Sequence, residues 1–178
     1  MKAGSGKAKG AEFERFVCEK LSLWVSHEKR TDLFWRSAMS GGRATVKFKK
    51  GGHNDTQAGD ITALAEESFI LSSCFSVECK FYADLNFQQG LFKGTGNIAN
   101  FWRGHAALST KAGKLPLLIA KQNRLPVVCI TDLKGSEVLN EFTKPFLASS
   151  LIDIDSTCAF FWFSNLLASR YNPRPFQR

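Results

Sequence analysis

Eight consecutive residues, Phe75 to Tyr82 (FSVECKFY), alternate apolar and polar side chains. Successive side chains of a β-strand point to opposite faces, so a period of two predicts a strand here. The apolar side chains then face the core, while Glu78 and Lys80 share the other face. A fold built on this strand must hold a carboxylate beside an ammonium group. A solvated strand face with two opposite charges is the simpler interpretation.

Asp60 strengthens the case for chemistry at this face. It follows a polar loop over residues 51–59 and opens an apolar stretch that predicts a strand over 60–64. A charge at the mouth of a buried strand is costly without a partner or a metal ion. Two carboxylates on neighbouring strands can share Mg²⁺, which prefers oxygen ligands and usually takes only one or two carboxylates. A turn or strand-capping role is the structural alternative for Asp60.

Such an arrangement would suit the hydrolysis of a phosphodiester. A bound Mg²⁺ ion polarises a phosphate and acidifies a coordinated water. Lys80, a compact point charge, would then lie beside that water or the negative charge that develops on the phosphorus centre.

The remaining periodicity predicts a mixed α/β order of elements. Helices are predicted over 11–27, 98–112, 136–147 and 160–169, and further strands over 33–36, 115–120 and 126–131. Residues 43–50 alternate basic and apolar side chains like a β-ribbon, and 84–100 resembles a loop. We expect one mixed sheet flanked by helices.

The length of 178 residues suits a single domain, and no internal repeat or linker is evident. Residues 1–10 are rich in Gly and Lys, which predicts a flexible basic N-terminus. Residues 11–131 hold all the informative patterns and are expected to form the core. Residues 132–178 carry no recognisable motif and are expected to be a C-terminal extension.

The charge balance favours a polyanionic partner. The formal net charge is +8, and residues 1–50 alone carry 12 basic and five acidic side chains. Nucleic acid is the commonest polyanion that such a surface attracts, although a solubilising surface has the same composition.

The cysteines and the apolar runs indicate the cellular compartment and the relation to membranes. Five scattered cysteines without a C-x-x-C pair argue against a disulfide framework or a zinc knuckle and favour a reducing, intracellular setting. No apolar run approaches the roughly 20 residues of a membrane span, and the N-terminus lacks the apolar stretch of a signal peptide. We therefore expect no membrane partner.

Asp60, followed after 17 residues by Glu78-Cys79-Lys80, resembles the PD-(D/E)XK nuclease superfamily, with Gly59 where its proline usually stands. A longer ordered series across residues 9–131 is similar to the archaeal-type Holliday-junction resolvases and their viral relatives. The additional matching segments are Lys9-Gly10, Glu14-Arg15 and Ser40-Gly41-Gly42.

The resemblance implies a restriction-endonuclease-like α/β fold and a Mg²⁺-dependent, structure-selective DNA endonuclease that resolves four-way junctions. Mn²⁺ is expected to substitute for Mg²⁺. Asp60 and Glu78 would be metal ligands, with the Cys79 backbone carbonyl as a third, and Lys80 would be the catalytic lysine. Gly59 in place of proline is expected to affect only the backbone turn.

The resemblance also implies catalytic roles for Glu14 and Ser40. Glu14 would approach the metal from the first helix, and its helical position is compatible with an inward direction. Ser40 would lie near the scissile phosphate. An exposed helix carboxylate and a turn serine are equally good interpretations of these two residues.

Basic residues are expected to contact the DNA backbone. The candidates for phosphate contacts are Lys9, Arg15, Arg36, Arg43, Lys47, Lys49, Lys50 and Lys121. Phosphate contacts position DNA without reading its sequence, and no base-reading helix or zinc finger is recognisable. A four-way junction has two-fold symmetry, which a homodimer with two equivalent sites would match. The aromatic residues at 101–102 and 160–163 are candidates for the core or for that interface, with the core preferred.

Several alternatives stay open. Asp55 is a weaker candidate for the role of Asp60, and Gln88 or Gln89 could reach the site from the loop after Lys80. The three histidines share no metal-ligand spacing. Another PD-(D/E)XK activity, such as nicking or end processing, would use the same residues. A non-catalytic DNA-binding protein with a vestigial site is the rival class, although the intact acidic pair and lysine argue against decay.

Overall fold

The computed structural model describes residues 6–37, 59–144, 150–154 and 157–172, and the statements below concern these ranges. The helices are α1 (Gly6–Ser26), α2 (Glu66–Cys74), α3 (Phe87–Lys93), α4 (Asn97–Lys111), α5 (Leu133–Phe142) and α6 (Phe163–Ala168). The strands are β1 (Phe34–Arg36), β2 (Ile61–Ala63), β3 (Phe75–Tyr82), β4 (Leu115–Gln122), β5 (Val128–Asp132), β6 (Thr143–Lys144), β7 (Ser150–Asp153), β8 (Thr157–Trp162) and β9 (Arg170–Tyr171).

The central sheet is mixed and has the strand order β3-β4-β5-β8-β7. β3 and β4 run parallel, and the remaining neighbours are antiparallel. The crossover between the parallel pair contains α3 and α4, as a parallel connection requires. Helices flank the sheet, so the predicted restriction-endonuclease-like α/β fold is confirmed.

The alternation along each central strand divides the core between the two faces of the sheet. Val77 and Cys79 of β3 belong to a cluster that includes the buried stripe of α1. Leu118 and Ala120 of β4 point to the other face, against α4. β4 is buried on both faces, which explains its continuous apolar sequence.

The strands predicted at 33–36, 60–64, 75–82, 115–120 and 126–131 are all present, and the helix predicted at 98–112 is α4. The helix predicted at 11–27 is also present, but it begins at Gly6. Residues 6–10, assigned to a flexible N-terminus, form its first turns. Lys7, Ala8 and Lys9 are good helix formers and extend a helix that packing already stabilises.

Further segments differ from the prediction. The helix predicted over 136–147 is α5, which begins at Leu133 and ends at Phe142, and residues 143–144 form β6. α3 lies inside the stretch that the sequence assigned to a loop. This short helix follows Asn86 and contains two Gln residues and one Gly, so its sequence shows no apolar periodicity. α2 was not predicted. Residues 160–162 end strand β8 instead of starting a helix, which begins only at Phe163. Short apolar runs do not distinguish a buried strand from a helix.

Residues beyond 131 complete the central sheet. β8 pairs with β5 over five residues, from Val128↔Trp162 to Asp132↔Cys158. Phe161 and Phe163 are buried in the same cluster as α1. The boundary expected at residue 131 therefore does not separate a core from an extension. No helix among the described residues is both long enough and apolar enough to span a bilayer.

Candidate active site

Glu78 and Lys80 lie side by side on one face of β3, as the alternation predicted. The Lys80 ammonium group donates a hydrogen bond to Glu78 Oε1, and both side chains are 23% exposed. Lys80 Nζ also lies 5.6 Å from the centroid of the Phe101 ring, which comes from α4. The lysine is thus held between a carboxylate and an aromatic ring at a sheet edge that remains accessible.

The backbone of β3 holds Asp60 at the same edge. The Asp60 N–H donates to the Val77 carbonyl at 2.7 Å. The Cys79 N–H donates in turn to Asp60 Oδ2 at 2.9 Å. The carboxylate is therefore fixed at the peptide that joins Glu78 to Cys79, and the two acidic side chains reach one edge from two segments of chain.

Gly59 makes this close approach possible. It bridges Val77 in parallel fashion with a φ of +95°, and a Cβ atom at this position would lie 2.4 Å from the Val77 carbonyl oxygen. Proline cannot adopt a positive φ. The close packing against β3 therefore requires glycine at this position. The sequence predicts that glycine in place of proline affects only the backbone turn, and this expectation is corrected.

Replacing Gly59 with alanine is expected to destabilise the protein by about 3 kcal/mol or more, because it combines a disfavoured φ with a backbone clash. Urea unfolding followed by circular dichroism measures this change. Gly104→Ala is the matched control: it lies within α4 with open space around it, and it should stabilise by about 1 kcal/mol. Equal stability of both variants would contradict the close packing of Gly59.

Asp60 is only 5% exposed. Burial, together with the nearby Glu78 carboxylate, raises the pKa of Asp60 to about 7, against the opposing effects of the Cys79 N–H and Lys80. Burial alone would lower the pKa of Lys80, but its pKa is raised because the Glu78 carboxylate outweighs that effect. The edge therefore carries two crowded acidic groups and one ammonium group.

Glu14 reaches this region from α1. Its Oε2 accepts a hydrogen bond from Arg36 Nε at 2.6 Å, and its side chain is 13% exposed. Its charge acts on the Asp60 carboxyl. The helix therefore directs Glu14 toward the site and not into solvent, and Arg36, predicted to contact DNA, is an ion-pair partner inside the site.

The two nearby thiols stay protonated. Burial raises the pKa of Cys18 to about 12, and it raises that of Cys79 well above its usual range. Neither sulfur is suited to ligate a metal as a thiolate. Within the described ranges, no three His, Cys, Asp or Glu side chains form a ready-made metal cage.

A cleft of about 460 Å³ opens beside this edge, between the start of α1 and the end of β3. Lys9, Glu14 and Lys80 contribute charged side chains to its lining. Lys121 lies next to it, with its ammonium group 5.6 Å from the centroid of the Phe81 ring. Of the predicted basic residues, Lys9 thus lines the cleft, Lys121 lies beside its Phe81 wall, and Arg36 is bound to Glu14.

Other predicted residues lie elsewhere. Arg15 is exposed on α1, and neither it nor Gln88 or Gln89 lines the cleft. Ser40, Arg43, Lys47, Lys49, Lys50 and Asp55 fall outside the described residues. Most of the aromatic residues at 101–102 and 160–163 are buried or half-buried, which confirms their core role, whereas Trp162 is 42% exposed.

The sequence interpretation missed two groups of residues at the site. Tyr82 lines the cleft and shares the face of Glu78 and Lys80, a position that the alternation of β3 already indicated. His105, buried on α4, has Nε2 2.8 Å from the Ser76 carbonyl oxygen and so anchors β3 just before Glu78. No pattern in α4 indicated contacts from His105 or Phe101.

A mixed sheet whose edge strand carries Glu-x-Lys, with an aspartate bound to that strand's backbone, defines a nuclease domain of the PD-(D/E)XK class. The family model described as "Phage putative PDDEXK endonuclease" matches residues 5–158. The chain therefore belongs to this family of phage PD-(D/E)XK endonucleases. No curated protein and no solved structure has significant similarity to the chain.

Proposed function

We propose that the protein is a Mg²⁺-dependent endonuclease that cuts branched DNA, with the four-way junction as its first candidate substrate. The observation that carries the proposal is the convergence of Asp60, Glu78 and Lys80 at one accessible edge of β3. As a phage-family nuclease, it would act on DNA inside the infected cell.

The residues fit a hard divalent cation. Asp60 and Glu78 bring two carboxylates together where burial disfavours their joint ionisation, and a cation would relieve that repulsion. N–H and C=O of one residue in an extended strand point to the same side, so the Cys79 carbonyl faces the Asp60 edge as a third oxygen donor. These donors match the few protein ligands that Mg²⁺ or Mn²⁺ takes. Glu14 would contribute only after leaving Arg36.

When bound, the metal would polarise the scissile phosphate and lower the pKa of a water molecule. The chain itself supplies orientation and charge. Lys80 lines the cleft, and its ammonium group, held by Glu78, would stabilise the negative charge that develops on the phosphate. Lys9 and Lys121 would hold neighbouring phosphates.

Junction resolution extends this proposal. No base-reading helix or zinc finger is recognisable in the sequence, so selection by DNA shape suits the site better than selection by base sequence. A four-way junction needs two symmetric cuts, which a homodimer would deliver. Nicking or end processing by the same site, or binding without cleavage, are the competing outcomes.

Cleavage and binding assays separate these outcomes. A labelled four-way junction, a nicked duplex and a linear duplex are each incubated with Mg²⁺, Mn²⁺ or Ca²⁺. We expect paired cuts in the junction with Mg²⁺ and Mn²⁺, and binding without cuts in Ca²⁺, which takes more ligands at longer distances. Cleavage of every duplex end would indicate end processing, and binding without any cleavage would overturn the proposal.

A further inference from the structure

We infer that Tyr82 and Phe101 form a stacking platform for an unpaired base beside the scissile phosphate. The inference rests on the proposed function and narrows its substrate class. The preferred DNA would then contain unpaired nucleotides at the branch point, as flaps, forks and open junctions do.

The active-site strand β3 places Tyr82, and α4 places Phe101 beside it. Tyr82 lies two residues after Lys80 on the same face of β3, it lines the cleft, and it is 45% exposed. Its ring centroid lies 5.0 Å from that of Phe101. Phe101 is half-buried against the core cluster between α4 and the sheet, and its ring also lies under the Lys80 ammonium group. It therefore supports both Tyr82 and Lys80.

The spacing matches one nucleotide. Alternate residues of a strand are about 7 Å apart, so a phosphate at Lys80 would place an adjacent base near Tyr82. Ammonium groups would hold the backbone while an aromatic face receives the base, which is the combination that single-strand-binding proteins use. A phosphate bound in the cleft would not contact the exposed face of the Tyr82 ring, whereas a base could stack on it.

The platform discriminates against fully paired DNA. The faces of a base inside a duplex are covered by its stacked neighbours, and only its edges are accessible. Stacking on Tyr82 therefore requires a base that has left the duplex stack, and the required distortion is smallest where the nucleotide is already unpaired. Selection would thus act on local DNA structure and not on base identity.

The test compares two four-way junctions of the same sequence, one fully paired and one with two unpaired nucleotides at the branch point. With Mg²⁺, the wild-type protein should cut the second at least about 10-fold faster. Tyr82→Ala should lower that rate about 10- to 100-fold, as expected for the loss of one base–aromatic stack, and should abolish the preference. Tyr82→Phe should keep both the cleavage rate and the preference for the junction with unpaired nucleotides.

The control is Trp162→Ala. Trp162 is also an exposed ring supported by a half-buried phenylalanine, Phe160, at 5.4 Å, but it lies three strands away on β8. Its loss should leave the preference unchanged. Thermal unfolding of all the variants checks that each is folded.

A second readout does not depend on cleavage. 2-Aminopurine replaces one unpaired base, and binding is followed by fluorescence in Ca²⁺. Quenching by the wild type and Tyr82→Phe but not by Tyr82→Ala supports the platform even if no DNA is cut, an outcome that would refute only the proposed function. Equal quenching by all three proteins, or equal cleavage of both junctions by the wild type, would overturn the platform.

Discussion

Asp60→Asn is expected to abolish Mg²⁺-dependent cleavage and, in the absence of metal, to make the protein harder to unfold at pH 8. Asparagine keeps an oxygen that can accept the Cys79 N–H but carries no charge for a cation. Loss of that charge removes a ligand of the cation on which the proposed chemistry depends, so cleavage should fall about 10³-fold or more.

The stability gain follows from the raised pKa of Asp60. The folded pKa is about 7 and the ordinary value is 3.8. Because the unfolded chain ionises first, the metal-free wild type loses stability as pH rises from about 4 to about 7. The asparagine variant avoids that loss, so its advantage should be absent near pH 4 and reach up to about 4 kcal/mol at pH 8.

Urea unfolding with EDTA at pH 4, 6 and 8 measures this advantage. Asp32→Asn is the matched control: Asp32 is exposed and bound to Arg30, so its replacement should change stability only slightly and not in the same direction. A destabilised Asp60→Asn protein at pH 8 would mean that the carboxylate serves the fold and not a bound cation.

Lys80→Ala is the second substitution for which we expect a large effect on cleavage. It removes the ammonium group that is bound to Glu78, and we expect single-turnover cleavage to fall about 10³-fold or more while junction binding in Ca²⁺ changes less than about threefold. Glu78→Gln should have a similar effect on cleavage. The double variant should be little worse than either single one, because residues that act as a unit are not additive.

Lys80→Arg provides a stricter test. Arginine keeps the charge, but its planar guanidinium is larger and directs its donors differently, so it should restore little activity. Lys111→Ala removes an exposed lysine at the end of α4 and should leave cleavage unchanged. Cleavage by Lys80→Ala within about threefold of wild type would exclude a catalytic role for this lysine.

The alternation in β3 was sufficient to predict the Glu78–Lys80 face, because a period of two leaves a strand residue only two directions. The spacing to Asp60 predicted its partner through a family resemblance. What could not be predicted came from contacts between distant segments: the ion pair of Glu14 with Arg36, the ring of Phe101, and the strand character of residues 160–162. Such contacts depend on packing that no local pattern encodes.

The hydrogen bond from the Ser37 N–H to the Asp60 carbonyl, at 2.8 Å, has an evolutionary consequence. It joins the residue that follows β1 to the residue that precedes β2, on either side of residues 38–58. The backbone of Asp60 is therefore held by Ser37 and by Val77 of β3, so relatives of this chain can differ within residues 38–58 without displacing the carboxylates.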